Sequence, residues 1–387
     1  MTTSPIRELL GPHGKQALAD AMAESDPGSL SAATRLRARY SLELAAAALS
    51  QAVLRAKAAS KHPRAAELLW TPAGLEQATR YPVARWRAAR FAAAGVKQVW
   101  DLGCGVGVDA LAFTELGIEV VAIEADEHTA AAAEHNLGLV GGAEVRVGLV
   151  EQAEPPADAA IFLDPARRTG RGRTWRPEDF SPPWRLVADY LASDRFVAVK
   201  AGPGLPKELI PSEVRATWVS HARDAVEVSL WNRLPAGPEA VVLADEGAQS
   251  LPSPERLREL PVRPVGRYVI EPDNAVIRAG LLSEIAPAAD LWLLDAQVAY
   301  LSSDQPYQGP WGTCFEVLQV LDYRKKTLAA WVRAGDIGTL EIKKRAIDVD
   351  PAQLRKRLNP RGTQAATLLL ARTSQGTKAL VVRPLGR

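Results

Sequence analysis

A chain of 387 residues, 47% hydrophobic and 24% charged, has the make-up of a soluble globular protein and the length for two or three domains with sizeable cores. It holds no run of about 18 apolar residues to span a membrane, and its opening Met-Thr-Thr-Ser-Pro-Ile-Arg-Glu lacks the charged-then-apolar pattern of a secretory leader. Two cysteines, Cys104 and Cys314, exclude a disulfide framework, and five histidines show no ligand spacing; with a net charge of +2, a cytoplasmic protein without metal is expected.

Residues 1–94 are alanine-rich with helical periodicity and are expected to form an N-terminal helical domain. Leu9 and Leu10 open one segment, and Ser31 is expected to start another that carries Leu36, Tyr40, Leu44 and Leu49. Thr71-Pro72 reads as an N-cap followed by proline at the first helical position. Pro82 separates Leu75–Arg80 from a helix over 83–94, whose Arg85, Arg87 and Arg90 are expected to face solvent.

Over residues 95–250 strands and helices alternate. Strands are expected at 97–101, 118–124, 144–148, 158–164, 195–200, 225–231 and 239–244, and helices near 109–116, 127–137, 183–192 and 205–210. This alternation predicts a doubly wound, mostly parallel α/β sheet. The last two strands lack a full helix between them, so they are expected to pair antiparallel through Pro235-Ala-Gly-Pro238. The stretch from Val99 to Asp109 is an apolar strand ending in Asp101, then a turn with Gly103, Gly105 and Gly107, then a helix start. Such glycines let the backbone bend sharply and a ligand approach it, and the helix N-terminus offers amide donors. The next strand ends in Glu124, where a carboxylate can hold a ribose diol. A dinucleotide fingerprint needs its third glycine where Val108 stands, and Asp101 suits an ammonium group better than a pyrophosphate.

Asp101-Leu-Gly103-Cys104-Gly105-Val-Gly107 resembles the first motif of the class I S-adenosylmethionine-dependent methyltransferases, and Glu124 matches their ribose-binding acid. The resemblance implies a seven-stranded Rossmann-like sheet with S-adenosyl-L-methionine as cofactor. Its site would draw on Asp101, Gly103, Cys104, Gly105, Gly107, Glu124, Ala125, Val150 and Asp164. Where the family commonly brings an acid or amide to adenine, this chain has Gly148-Leu-Val150, with Glu151 displaced.

Asp158-Ala-Ala-Ile-Phe-Leu-Asp164-Pro165-Ala166-Arg167-Arg168 is a buried strand running into a polar turn beside the switch in strand order. It is similar to the D/N-P-P-aromatic motif of methyltransferases acting on base amino groups, with Ala166 and Arg167 replacing the second proline and the aromatic. Asp164, Pro165, Arg167 and Arg168 are therefore candidate catalytic residues: acid and carbonyl accept hydrogens from an amine, and an arginine plane stacks on a base or grips phosphate. The two arginines also admit a reading as a pair that ties down the loop. D-P-A-R-R resembles a bacterial subgroup with a C-terminal THUMP-like domain, which implies that Leu75–Thr79 caps the donor pocket. The basic loop that follows offers Arg171, Arg173 and Trp175 to single-stranded nucleic acid, Trp175 and Phe180 being equally readable as apolar anchors. Lys200-Ala-Gly202 ends strand five with a cation on the ligand side.

Proline-rich residues 251–264 read as a linker, and residues 265–387 as a small α+β unit that resembles the THUMP-like module. Strands are expected at 315–321 and 337–345, a helix capped by Asp350-Pro351, and a closing hairpin of 365–371 with 379–382. From 262 to 387 there are 18 Lys/Arg against 12 Asp/Glu, and within 323–361 the imbalance is 11 against 4. Lys325, Lys326, Lys343, Lys344, Arg345, Arg355, Lys356 and Arg357 are the candidate nucleic-acid contacts, a local basic field being attractive to phosphates even near net neutrality. The resulting expectation is an S-adenosylmethionine-dependent methyltransferase modifying a base in tRNA or rRNA, with no membrane, metal or obligate protein partner. The alternatives are a methyltransferase of a small molecule or protein, and a non-enzymatic RNA-binding protein with a vestigial donor pocket.

Overall fold

The computed structural model describes residues 5–167, 180–245, 247–287 and 289–385. Two compact units divide the chain: Met1–Arg215 with Val228–Ala236, and Ala216–Glu227 with Gly237–Arg387. No described helix is long and apolar enough to cross a membrane.

In the first unit six helices precede the sheet: α1 Pro5–Leu10, α2 Pro12–Met22, α3 Leu30–Arg37, α4 Leu42–Ala58, α5 Pro72–Gln77 and α6 Tyr81–Ala93. The segment expected to run on from Ser31 is two helices, because each has its own serine cap. Ser29 accepts from the Ala32 amide at 3.2 Å, and Ser41 accepts from the Leu44 amide at 3.2 Å. Thr71 caps α5 as expected, its Oγ1 accepting from the Gly74 amide at 3.0 Å. Leu36, Tyr40, Leu44 and Ala48 close a small helical core. Leu54, Leu68 and Trp70 instead join Val99, Val108 and Phe113 in one larger core, so the N-terminal helices and the sheet share buried surface.

The strands are β1 Gln98–Leu102, β2 Glu119–Glu124, β3 Ala143–Val147, β4 Ala160–Leu163, the two-residue β5 Ala166–Arg167 and β6 Phe180–Ser181, then β7 Val197–Ala201, β8 Arg215–His221 and β9 Asp224–Trp231. Between them lie α7 Val108–Thr114, α8 Glu127–Gly138 and α9 Trp184–Leu191. The helix expected at 205–210 is a single turn, Lys207–Leu209. The order in this unit is β9-β7-β4-β1-β2-β3, parallel except for β9, which lies antiparallel to β7 with Ala198 opposite Trp231. Leu102 of β1 pairs with Leu163 of β4, so Asp101 and Asp164 lie near the carboxyl ends of the two strands between which the strand order reverses.

The second unit takes in β8 and the start of β9, and continues with β10 Gly237–Ala244 and β11 Gly247–Pro252, in the order β11-β10-β8-β9. Here the sequence expectation fails. The strand at 224–231 does not pair with 237–244, because β8 stands between them, and β11 occupies the start of the stretch read as linker. Strand β8 carries Thr217 and Ser220, polar residues that obscure a buried strand. Glu239 accepts from Thr217 Oγ1 at 2.6 Å and Asp273 from Ser220 Oγ at 2.9 Å, which makes their burial tolerable.

A second sheet follows, from β12 Tyr268–Pro272, β13 Trp292–Asp295, β14 Val298–Ser303, β15 Gly312–Asp322, β16 Ile337–Arg345, β17 Gln364–Thr373 and β18 Gly376–Pro384, in the order β13-β14-β12-β15-β18-β17-β16. Its helices are α10 Asn274–Ala279, α11 Lys325–Ala334 and α12 Pro351–Leu358. Asp350 caps α12, accepting from the Ala352 and Gln353 amides at 2.8 and 3.1 Å, and β17 and β18 form the expected hairpin.

Candidate active site

The turn after β1 holds three glycines at φ +94°, +56° and +83° for Gly103, Gly105 and Gly107. Side chains rarely adopt that region, and this is why the turn needs glycine. Gly103 and Cys104 both donate their amides to the Ile123 carbonyl, at 2.9 and 3.0 Å, which ties the turn to β2. Glu124 completes the tie: Oε2 accepts from the Gly105 amide at 3.0 Å and Oε1 from the Asp126 amide at 2.9 Å. From the other side Asn136 of α8, fully buried, donates Nδ2 to the Val106 and Leu69 carbonyls at 2.9 Å each and accepts from the Leu69 amide at 2.7 Å.

A cavity of about 590 Å³ opens over this turn. Its floor includes Gly103, Cys104, Gly105, Glu124, Ala125 and Val150, all expected there from the sequence, with Leu149 and Glu151 beside them. Asp164 and Pro165 line one wall, and Gly74, Gln77, Ala78 and Thr79 line another. Lys61 holds that capping segment by donating Nζ to the Leu75, Glu76 and Ala78 carbonyls at 2.7, 2.9 and 3.2 Å. Phe180, Ser181 and Pro182 also line the cavity, Phe180 being buried against Trp184 with ring centroids 4.9 Å apart.

Two expected donor residues lie off the cavity wall. Gly107 sits at the N-cap of α7, against Leu137. Asp101 lies fully buried, and among the described residues neither carboxylate oxygen has a hydrogen-bond partner. Burial, and then the neighbouring Asp109 and Asp164, push its carboxyl well above the ordinary range. A buried acceptor with no donor among the described residues is chemically suited to a cationic group.

Arg87 corrects the sequence expectation of a solvated face. It is fully buried, ion-paired with Asp109 of α7, and stacked 4.7 Å from the Phe162 ring centroid of β4. Arg90 is half-buried over Trp86, and only Arg85 is exposed. Asp109 also accepts from Thr79 Oγ1 at 2.6 Å. Lys200, at the end of β7, donates Nζ to Thr79 Oγ1 at 2.9 Å and to Asp164 Oδ2. Burial raises the Asp164 carboxyl while Lys200 pulls it back down, the net direction being upward. Thr79 and Lys200 were not among the expected catalytic or donor residues, although the sequence placed Leu75–Thr79 over the donor pocket and the Lys200 cation on the ligand side.

Arg167 stands in the β5–β6 ladder opposite Phe180, while Arg168, Arg171, Arg173 and Trp175 lie outside the described residues. In the second unit the basic candidates divide. Lys343 donates to Glu271 at 2.8 Å, Arg345 lies 5.1 Å from the Tyr300 ring centroid, and Arg355 donates Nε to the Leu340 carbonyl at 2.7 Å. These three have structural partners within the fold. Lys325, Lys326, Lys344, Lys356 and Arg357 are exposed.

The family model described as THUMP domain-like matches residues 312–384, and a domain family of unknown function matches residues 2–58. Two proteins of Mycobacterium tuberculosis, from strains CDC 1551 and H37Rv, are each 33% identical over 327 residues, 82% of this chain and 89% of the relative. Both are named as uncharacterized S-adenosylmethionine-dependent methyltransferases. A crystal structure of a candidate methyltransferase from Porphyromonas gingivalis W83 has the same fold, with a TM-score of 0.75 at 21% identity over 96% of this chain and 99% of that one.

Proposed function

The chain belongs to the S-adenosylmethionine-dependent methyltransferases, and from that premise we propose that it methylates a nucleotide base in tRNA or rRNA. When bound, S-adenosylmethionine supplies an electrophilic methyl group on a sulfonium. Asp101 would meet the donor's ammonium, the Gly103–Gly107 backbone would lie under it, and Glu124 would accept from its ribose. Ala125 and Val150 would flank the adenine. Asp164 and the Pro165 carbonyl would orient the acceptor.

The observation that carries RNA as acceptor is the THUMP domain-like match to residues 312–384, overlapping a stretch with 11 basic residues against 4 acidic. Nucleic-acid affinity rests largely on phosphate neutralisation, so five exposed cations on single-stranded phosphates would give a log–log salt slope of about −3.5. The same reading carries a cytoplasmic location, where tRNA and rRNA reside. Nucleoside mass spectrometry of RNA from a deletion strain tests it. One methylated nucleoside should disappear and return with the wild-type gene; an unchanged nucleoside profile overturns RNA and leaves a small molecule or protein as acceptor.

Asp101 yields a second expected result. A carboxyl whose folded pKa is raised opposes folding increasingly as pH climbs from its unfolded value near 3.8 through the folded one. Asp101→Asn removes that penalty, so the free protein should gain thermal stability, more at pH 8 than at pH 5. Binding of S-adenosylmethionine should weaken about tenfold, as for a lost hydrogen bond to a charged group. Unchanged affinity in calorimetry would remove Asp101 from the donor site.

A further inference from the structure

The side chains around Asp164 form a relay with only one possible polarity. A carboxylate only accepts and an ammonium only donates, whereas a hydroxyl has a single proton to give. The Thr79 proton must therefore point to Asp109 Oδ2, 2.6 Å away, and its lone pair to Lys200 Nζ, 2.9 Å away. Lys200 in turn donates to Asp164 Oδ2. Arg87 closes the far end on Asp109 Oδ1. Among the described residues no hydrogen bond reaches Asp164 Oδ1, and Asp164 lines the cavity with its side chain 29% exposed.

We propose that Lys200 and Thr79 are positioning residues for methyl transfer, holding Asp164 by Oδ2 so that Oδ1 takes the proton of an acceptor N–H. The inference rests on the methyl-transfer reading above, with the N–H acceptor that the Asp164-Pro165 motif's likeness implies, and adds to it the two side chains that hold Asp164. In the step, the acceptor nitrogen bonds to the methyl carbon as the sulfonium–methyl bond breaks to a neutral thioether. The N–H proton passes to Oδ1, so the positive charge lost at sulfur is matched by the negative charge lost at the carboxylate. Asp164 has to be ionised to do this although burial opposes ionisation. The charged groups acting on it are Lys200 from β7, Arg87 from α6 and Asp109 from α7, with Asp101 of β1 also electrostatically coupled to it. Lys200 touches it directly and is its main counter-charge, and Thr79 keeps Lys200 aimed.

Carboxyl carbon NMR of the full chain without donor tests this directly, the Asp164 signal being identified by its loss in Asp164→Asn. In Lys200→Met the midpoint should move up by about one pH unit or more, as expected when an adjacent opposite charge is removed. Thr79→Val, the same shape without the hydroxyl, should move it in the same direction, and Thr79→Ser should titrate like the wild type. An unmoved midpoint in Lys200→Met overturns the proposal even if the RNA of a deletion strain proves to be a substrate. Shifted midpoints with RNA left unmethylated by the wild type sustain the positioning role and refute the RNA reading instead. Where methylation of that RNA is measurable, Thr79→Val and Lys200→Met should lower kcat about a hundredfold, with KM for S-adenosylmethionine within about twofold. The acidic limb of kcat should move to higher pH by the same amount as the carboxyl midpoint. A kcat and limb that stay in place overturn the proposal.

Discussion

Asp164→Ala should reduce methyl transfer about a thousandfold or more while S-adenosylhomocysteine still binds within about twofold of the wild type. The expectation follows from where β4 delivers the residue. Leu163 is fully buried and in register with Leu102, so the chain leaves the sheet beside the glycine turn with Asp164 on the cavity wall. Pro165 follows immediately, and its fixed φ limits how far the turn can relax. The donor-side residues Gly103, Gly105 and Glu124 are held by bonds to one another and to β2, none of which passes through Asp164. Removing its carboxylate therefore leaves the donor cradle standing. Asp164→Asn separates two chemistries: it keeps an acceptor oxygen but cannot take a proton, so it should fall as far as alanine does. Calorimetry with S-adenosylhomocysteine, alongside turnover, reads both variants. Lost donor affinity in either would make Asp164 a donor-site residue.

Arg87→Met should lower the stability of the first unit by about 3–5 kcal/mol, the range for breaking a buried ion pair from one side. The substitution is close in volume, and the effect comes from Asp109. That carboxylate is buried beside the glycine turn and would be left with the Thr79 hydroxyl in place of a guanidinium. The stacking of Arg87 on Phe162 is lost as well. Adding Asp109→Leu should restore a large part of the loss, because a buried pair replaced by packed apolar groups is often neutral or better. The coupling in that double-mutant cycle is the quantity to measure, by denaturant unfolding followed through the tryptophans of this unit. A single-variant loss below about 1 kcal/mol would show that the pair contributes little to the fold.

Several parts of the molecule are legible in the sequence alone, and they share a local cause. Three alternating glycines announce a turn that only left-handed backbone can make. Thr71-Pro72 and Asp350-Pro351 announce helix starts because cap and first-turn proline are neighbours in sequence. Apolar runs before Asp101, Glu124 and Asp164 announce neighbouring strands with an acid at or next to each carboxyl end.

What escaped is equally instructive. Arg87 sits in a helix with arginines on either side at positions 85 and 90, and periodicity carries no sign that one of them is buried. Its partner is 22 residues away, and the bond from Lys200 to Thr79 spans 121. Strand β8 was hidden by Thr217 and Ser220, whose acceptors Glu239 and Asp273 lie 22 and 53 residues on. Once β8 is in place, the hairpin expected at Pro235–Pro238 cannot form. Turns, caps and strand ends depend on residues within a few positions of one another, so the chain spells them out directly. A polar side chain becomes buried, charged and useful only when a distant group arrives to complete it, and that meeting is settled by folding alone.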